Sequence, residues 1–366
     1  MTVTGIASEL VRIPSVNPDG DPGTPHTGEA ACAEWIAGFL SRAGAGTELR
    51  EVFPGRPNIV AKFPSDGAGK PRLLFAPHTD TVSVTGMMIE PFGGEVRDGK
   101  LWGRGATDTK GPMAAMLWAL REAAPQLASL PYEIWFAGLA GEEEGQHGAK
   151  ALAAQEAFDF VIAGEPTGLD VVHTHKGSAW LSLRTAGVAV HASKPECGEN
   201  AIYKMCGAID CLRREVMPVL EKLADPVLGH PTLSVGTISG GSKTNIVPDS
   251  CEAMVDVRTI PGQDIAFVLE LLRTRVPGIE ISVLGSAPLF TDPAHPLIRR
   301  LQSCGAGLAG APWFCDAAVF AEQGCPAIAL GPGSITQAHT CDEFIAVADL
   351  EAGARFFLGF LDSLKP

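Results

Sequence analysis

Hydrophobic positions in the first half of the chain follow two different periods. Short apolar runs at residues 72–77, 132–139 and 158–163 are typical of buried strands. Apolar residues recur at three- and four-residue spacing over residues 26–42 and 112–122, which predicts helices. Strands that alternate with helices in this way predict an α/β fold with a mostly parallel central sheet.

The pattern changes near Lys176. Beyond it, the periodicity predicts a strand, a helix, two strands and a helix, in that order, at residues 180–185, 200–220, 232–238, 251–258 and 263–275. This order resembles a β-α-β-β-α-β block, which forms an α+β, ferredoxin-like layer.

The first pattern returns after Leu284, with a helix at 296–306, a strand at 326–330 and a final helix near 349–364. The two ends of the chain are therefore expected to form one domain around an insertion. We predict a catalytic domain made of residues 1–176 and 285–366, interrupted by a second domain over residues 177–284.

Composition excludes several classes of protein. With 46% hydrophobic and 19% charged residues, the chain is not disordered. A net charge of −14 lacks the basic footprint of a nucleic-acid binder, and no apolar run is long enough to span a bilayer. Nine cysteines without a Cys-x-x-Cys pair are typical of reduced thiols. We expect a cytoplasmic protein without a signal peptide.

Acidic and histidine residues lie just beyond the predicted strands. In open α/β sheets, ligands bind outside the carboxyl ends of the strands. The residues at such places, together with Asp108 where a glycine-rich loop enters a helix, are His78, Asp80, Glu142, Glu143, Glu144, Glu165 and His339. Imidazoles and carboxylates without thiolates are typical of catalytic zinc. The sequence therefore predicts a metal site at this edge of the sheet.

Each of these residues also has an ordinary structural interpretation. Asp108 is a good N-cap for the helix that follows it, His78 could face solvent from a loop, and adjacent glutamates such as Glu142–Glu144 are common on surface loops. The metal hypothesis depends on their joint position at one edge of one sheet.

The motifs around these residues resemble those of the amidohydrolase and metallopeptidase family of acetylornithine deacetylase, succinyl-diaminopimelate desuccinylase, aminoacylase and glutamate carboxypeptidase. The resemblance extends from His78 to about Phe344, in the family's order. Its motifs are His78-Thr-Asp80, Gly103-Arg-Gly-Ala-Thr-Asp108-Thr-Lys-Gly, Glu142-Glu143, Gly164-Glu-Pro-Thr, His191-Ala-Ser, Thr244-Asn245-Ile-Val-Pro-Asp and Ala338-His339-Thr-Cys-Asp-Glu.

The resemblance implies a site for two divalent ions. These would be zinc, as in the family, although the same ligands also accept cobalt and manganese. Asp108 would bridge both ions. His78 and Glu165 would complete one ion, and Glu143 and His339 the other. From outside this ligand set, Asp80 would support His78, and Glu142 would act as general base.

The glutamate register leaves a second assignment open. The family usually has Asp before its Glu-Glu pair, whereas this chain has Gly141. In a shifted register, Glu143 would be the base and Glu144 the ligand. We favour the Glu142/Glu143 assignment, because Gly145 and Gly148 then match the family's glycines.

The resemblance implies that three residues of the inserted domain contact the substrate. His191 would reach the active site of a partner subunit and bind the developing oxyanion, which implies a homodimer formed through this lid domain. Asn245 and Arg258 would bind the substrate, and Arg258 would form an ion pair with the α-carboxylate of the substrate. The alternative for Arg258 is a surface ion pair of little energetic value.

The resemblance implies hydrolysis of the amide bond of an N-acyl amino acid, as catalysed by acetylornithine deacetylase. The nucleophile would be a hydroxide shared by the two metal ions. Such an activity would place the protein in amino-acid biosynthesis. The alternatives on the same site are a metallo-exopeptidase, either a carboxypeptidase or a dipeptidase, and a succinyl-diaminopimelate desuccinylase. A metal-binding module without turnover is a further hypothesis. A serine hydrolase is disfavoured, because the chain has no Gly-x-Ser-x-Gly motif.

Overall fold

The computed structural model describes residues 1–263 and 265–365; Asp264, in the helix predicted over 263–275, lies outside the described residues. The helices are α1 (Val3–Val11), α2 (Ala30–Arg42), α3 (Lys110–Leu127), α4 (His147–Gln155), α5 (Ala201–Cys211), α6 (Met217–Leu220), α7 (Ile265–Arg275), α8 (Pro296–Ser303), α9 (Ala317–Glu322) and α10 (Val347–Ser363). The strands are β1 (Gly46–Phe53), β2 (Arg56–Lys62), β3 (Arg72–Ala76), β4 (Glu95–Arg97), β5 (Lys100–Trp102), β6 (Glu133–Gly138), β7 (Phe160–Ala163), β8 (Val171–His175), β9 (Gly177–Ala186), β10 (Thr232–Gly240), β11 (Ser250–Thr259), β12 (Glu280–Ser286), β13 (Leu289–Phe290), β14 (Leu308–Ala311), β15 (Ala327–Ala329) and β16 (Phe344–Ala346).

The chain forms two compact units. The first unit contains residues 1–173, 291–309 and 315–365, and the second contains residues 174–263, 265–290 and 310–314. The chain enters the second unit within β8 and leaves it after β13. The lid and dimerisation roles expected for residues 177–284 stay predictions.

The first unit is built on a sheet whose central strands run in the order β6-β3-β7-β15 and are parallel. β2 joins β6 in antiparallel fashion, and β1 joins β2. β7 is buried at every position and β3 at all but its first, as expected for strands covered on both faces. The predicted α/β fold with a mostly parallel central sheet is confirmed.

Helix packing explains why these strands could be recognised from apolar runs. Met113 and Leu117 of α3 are fully buried, as are Phe75 of β3 and Phe357 of α10, and they belong to one continuous core. The Phe75 and Phe357 rings meet edge to face at 6.0 Å between centroids. The helices leave the carboxyl ends of β3, β6 and β7 free for loops that carry polar side chains.

The second unit is an antiparallel sheet in the order β10-β11-β9-β12. The chain order is β9, α5 with its continuation α6, β10, β11, α7, β12, which agrees with the predicted β-α-β-β-α-β order. Leu181, Met205 and Leu272 belong to its core, so α5 and α7 pack on one face of the sheet. On the opposite face, Trp180 is 43% exposed.

Several predicted helices differ in extent from those observed, and for two of them the structure shows where the helical pattern is interrupted. The helix expected from residue 26 begins only at Ala30, because Gly28 has φ +99° and Thr27 forms a bridge with Val16. The helix expected over 200–220 is divided into α5 and α6 by a π-helical turn at residues 212–216. Among the described residues, no helix is both long and apolar enough to cross a membrane.

Candidate metal centre and active site

Two groups of potential metal ligands share one residue. His78, Asp108 and Glu165 form one group, and Asp108, Glu143 and His339 form the other. Within each group, one ligand atom per residue lies within 4.8 Å of the others. These are the five residues that the sequence predicted as metal ligands, and Asp108 belongs to both groups, as its predicted bridging position requires.

The loops that carry these residues follow directly from the parallel sheet. His78 comes two residues after β3, and Thr79 donates its N–H to the carbonyl of Leu139, 2.7 Å away, just beyond β6. The Thr109 hydroxyl donates to the carbonyl of Gly164, next to Glu165. The Asp108–Thr109 peptide bond is cis. Loops that lie far apart in sequence are thereby joined where their ligands meet.

The imidazole nitrogens point at carboxylate oxygens of Asp108 and Glu143. His78 Nε2 lies 3.0 Å from Asp108 Oδ1. His339 Nε2 lies 3.3 Å from Asp108 Oδ2 and 3.2 Å from Glu143 Oε2. The His339 side chain is 53% exposed, whereas His78, Asp108 and Glu165 are buried. Solvent therefore reaches the group that contains His339.

The electrostatics of the groups favour a bound cation. Burial raises the pKa of Glu142, Glu143 and Glu165, and neighbouring carboxylates raise it further. The carboxylates of Asp108 and Glu143, which accept hydrogen bonds from the His339 imidazole, raise the pKa of His339 to about 10.

One carboxylate oxygen among these potential metal ligands also lacks a hydrogen-bond partner. Glu143 Oε1 is buried and unpartnered among the described residues. Crowded, buried carboxylates with unpaired lone pairs are costly unless a cation compensates them. The donor set therefore fits divalent metal ions.

Asp80 contacts both the His78 imidazole and the backbone of the glutamate pair. Its carboxylate accepts hydrogen bonds from Asn17 Nδ2 at 2.7 Å and from the backbone N–H groups of Glu142 at 3.0 Å and Glu143 at 3.1 Å. His78 Nδ1 lies 3.5 Å from Asp80 Oδ1 but 2.9 Å from the Asp80 carbonyl oxygen. The Asp80 side chain therefore holds the backbone of the glutamate pair, while the Asp80 carbonyl orients the imidazole.

The structure places Glu143, and not Glu144, among the potential ligands. Glu144 is half-buried and lies beside Gly20. Gly148 packs so tightly that an added Cβ would lie 2.5 Å from the nitrogen of Ala140. This geometry agrees with the Glu142/Glu143 register, although the roles of the two residues stay predictions.

The remaining predicted residues belong to the second unit. His191 and Asn245 are exposed and lie side by side, because His191 forms a bridge with Ile246 and Ala192 N–H donates to the Asn245 carbonyl at 3.0 Å. Arg258 lies elsewhere in this unit, on β11. Its guanidinium forms a bidentate pair with Asp256, at 2.9 and 3.1 Å.

Sequence reasoning missed three buried residues around the site, namely Asn17, Asp316 and Glu343. Both carboxylate oxygens of Asp316 lack hydrogen-bond partners among the described residues, and burial raises its pKa to about 7. Glu343 lies four residues after His339, within a motif already singled out, and that proximity was the one available signal. No local pattern distinguished Asn17 or Asp316.

Comparison with known proteins decides the family. Residues 74–363 match the sequence profile of peptidase family M20/M25/M40. The chain belongs to this family. The resemblance predicted from the motifs is confirmed, and the chain is a metallohydrolase of the peptidase and amidohydrolase type.

Relatives match this family member over most of its length. Acetylornithine deacetylase of Proteus mirabilis (strain HI4320) is 32% identical over 361 residues, which cover 94% of this chain and 92% of the relative. Acetylornithine deacetylase of Pectobacterium carotovorum subsp. carotovorum (strain PC1) is 34% identical over 327 residues, which cover 85% and 84%.

Two solved structures share this fold. The M20 family metallo-carboxypeptidase Sso-CP2 from Sulfolobus solfataricus superposes with a TM-score of 0.79 at 18% identity, covering 100% of this chain and 99% of that one. A tripeptidase from Staphylococcus aureus gives a TM-score of 0.78 at 23% identity, covering 99% and 98%. At such identities the likeness concerns the fold alone.

Proposed function

We propose that this family member hydrolyses the amide bond of N-acyl amino acids, with N-acetylornithine as its substrate. The observation that carries the proposal is the pair of ligand groups that share Asp108, with Glu142 buried beside them. The choice of substrate is supported by the relatives, which carry the name acetylornithine deacetylase.

In this proposal each ligand group holds one divalent ion. His78, Asp108 and Glu165 would hold one, and Asp108, Glu143 and His339 the other. Nitrogen and oxygen donors without thiolate suit zinc in a catalytic site, and the same donors accept cobalt or manganese. Such ions supply Lewis acidity toward the scissile carbonyl and the attacking water.

The chain's own residues position and move the proton. Glu142 takes a proton from the attacking water and delivers it to the nitrogen of the leaving amine. Asp80, through its hydrogen bonds to the N–H groups of Glu142 and Glu143, keeps the base and the adjacent ligand in a fixed relation. Such fixed geometry is what general acid–base catalysis requires.

The second unit contributes substrate contacts in the proposal. Arg258 binds the α-carboxylate, Asn245 binds the substrate, and His191 stabilises the oxyanion from a partner subunit, so the enzyme acts as a homodimer. The adjacency of His191 and Asn245 supports a shared role. The cytoplasmic location stays a prediction.

Activity and metal dependence test the proposed reaction together. We expect a kcat/KM for N-acetylornithine at least about tenfold above that for any member of a dipeptide panel, because a mismatch of a single methylene in a substrate pocket is already worth about 10–200-fold. Chelator treatment should abolish turnover, and added Zn²⁺ or Co²⁺ should restore it. Release of free amine is the measurement.

Each other outcome identifies a competing function. Preferred cleavage of dipeptides would make the enzyme an exopeptidase, and preferred cleavage of succinyl-diaminopimelate would make it a desuccinylase. Metal-loaded protein that cleaves none of these substrates would support a metal-binding module without turnover.

Replacement of Arg258 tests the substrate contact. Arg258→Ala should raise KM by about 10–100-fold with a smaller change in kcat, because a charge-assisted hydrogen bond to a substrate carboxylate contributes about 1.5–3 kcal/mol. Steady-state kinetics on N-acetylornithine measure this split.

Asp256→Ala is the matched control for Arg258→Ala. It breaks the same Arg258–Asp256 ion pair but leaves the guanidinium in place. Equal kinetic effects in the two variants would show that only the ion pair matters and would remove Arg258 from the substrate site.

A further inference from the structure

Glu343 has a set of hydrogen bonds that the proposed mechanism does not use. The residue is 1% exposed. Its Oε1 accepts from the backbone N–H groups of Thr107 at 2.8 Å and Asp108 at 3.1 Å. Its Oε2 accepts from Gly105 N–H at 3.0 Å and from Arg104 Nη1 at 2.8 Å. Four donors from one loop therefore converge on one carboxylate.

Strand pairing brings this residue to the loop. β16 pairs with β5, and Phe344 lies opposite Trp102. Glu343 therefore lies opposite Gly103, whose N–H donates to the Glu343 carbonyl at 3.1 Å. The next residues along the chain from β5 form the loop that ends at Asp108, so the Glu343 side chain reaches the N–H groups of that loop.

The contacts of Glu343 join two segments that carry potential metal ligands. Asp108 is at one end of the loop that Glu343 holds, and His339 lies four residues before Glu343. Arg104, which pairs with Glu343, also donates from Nη1 to the Thr340 carbonyl at 3.3 Å, next to His339. The Arg104–Glu343 pair thus contacts both segments at once.

We infer that Glu343 is a positioning residue for the metal centre. Its carboxylate fixes the Asp108 loop against the His339 segment and so determines how tightly the group of Asp108, Glu143 and His339 binds a divalent ion. The inference rests on the proposed metal site. Groups that orient metal ligands without touching the ion commonly change its affinity by about 10–100-fold when replaced.

The arrangement is specific for a carboxylate. Each oxygen of Glu343 faces two donors, and a carboxylate is the side-chain group that presents acceptors at both positions. A glutamine of the same shape has one oxygen, and its NH₂ group would face either Arg104 and the Gly105 N–H or the N–H groups of Thr107 and Asp108. The Asp108 loop would then shift away from the His339 segment.

Glu343→Gln tests the inference against a matched control, Glu29→Gln. Glu29 is also a fully buried glutamate of the first unit, and Arg56 pairs with its two oxygens at 2.8 and 2.9 Å. Full-length apoproteins are titrated with Zn²⁺ against a chromogenic chelator, and their thermal unfolding is measured. We expect about 10–100-fold weaker Zn²⁺ binding in Glu343→Gln and a change of less than about twofold in Glu29→Gln, with both apoproteins less stable.

The outcomes separate the inference from the function on which it rests. If wild-type protein binds two ions and Glu343→Gln binds them equally tightly, Glu343 is only structural and the inference is wrong. If wild-type protein binds none, the proposed metal site itself is wrong. If apo Glu343→Gln does not fold, Glu343→Asp takes its place, since it retains both oxygens one methylene further from the loop; we expect a smaller loss of affinity, and unchanged affinity overturns the inference.

Discussion

Glu142→Ala should lower kcat on N-acetylornithine by about 10²–10⁴-fold, the usual contribution of a general base, while the protein keeps both metal ions. Glu142 lies outside both ligand groups, so its removal leaves the ligands in place. Without it, no carboxylate at that position can accept the proton of the attacking water. Steady-state kinetics and metal analysis of the same preparation measure both quantities.

Glu144→Ala is the matched control for this prediction. Glu144 is a glutamate of the same Glu142–Glu144 run, but it lies beside Gly20 and outside the ligand groups. We expect its kcat to stay within a few-fold of the wild type. Loss of an ion on replacing Glu144 would favour the shifted register, in which Glu143 is the base. Loss of ions on replacing Glu142 would instead make Glu142 a ligand.

Asp108→Ala should remove both metal ions and with them the activity. Oδ1 of Asp108 faces His78 and Oδ2 faces His339, so one substitution takes a ligand from each group. With only two residues left, neither group offers the three protein ligands usual for catalytic zinc. Metal analysis after gel filtration in metal-free buffer should find less than one ion per chain.

His339→Ala is the matched control for Asp108→Ala, because it removes a ligand from only one of the two groups. His339 belongs to one group only, so the group of His78, Asp108 and Glu165 should keep its ion. We expect about one ion per chain in this variant. If Asp108→Ala retains as much metal as His339→Ala, Asp108 does not bridge the two groups and the proposed centre must be revised.

The fold could be predicted from sequence where burial is uniform. β3 and β7 are covered on both faces, so nearly every residue is apolar and the strands stand out as short runs. Helix α3 showed its period of apolar residues in the same way. The glycine at position 28, by contrast, delayed the start of α2, because a positive φ is not visible in the pattern of hydrophobic residues.

The potential ligands could be named because they follow strands within a few residues. His78 and Glu165 come two residues after β3 and β7, and the parallel sheet brings such positions to one edge. Apart from the expected support of His78 by Asp80, the contacts that hold these ligands in place could not be named. Glu343 and Arg104 are 239 residues apart, and Asn17 and Asp80 are 63 residues apart.

By itself, the sequence predicted the central strands β3, β6 and β7, the β-α-β-β-α-β order of the second unit, the family and a set of candidate metal ligands, because these depend on local periodicity and on motifs within short segments. Only the tertiary structure decided that Asp80 holds the backbone of Glu142 and Glu143 and that Glu343 joins two loops. The physical reason is that a hydrogen bond is directional and short. Its partners are defined by where the chain returns in space, and spacing along the sequence carries no record of that position.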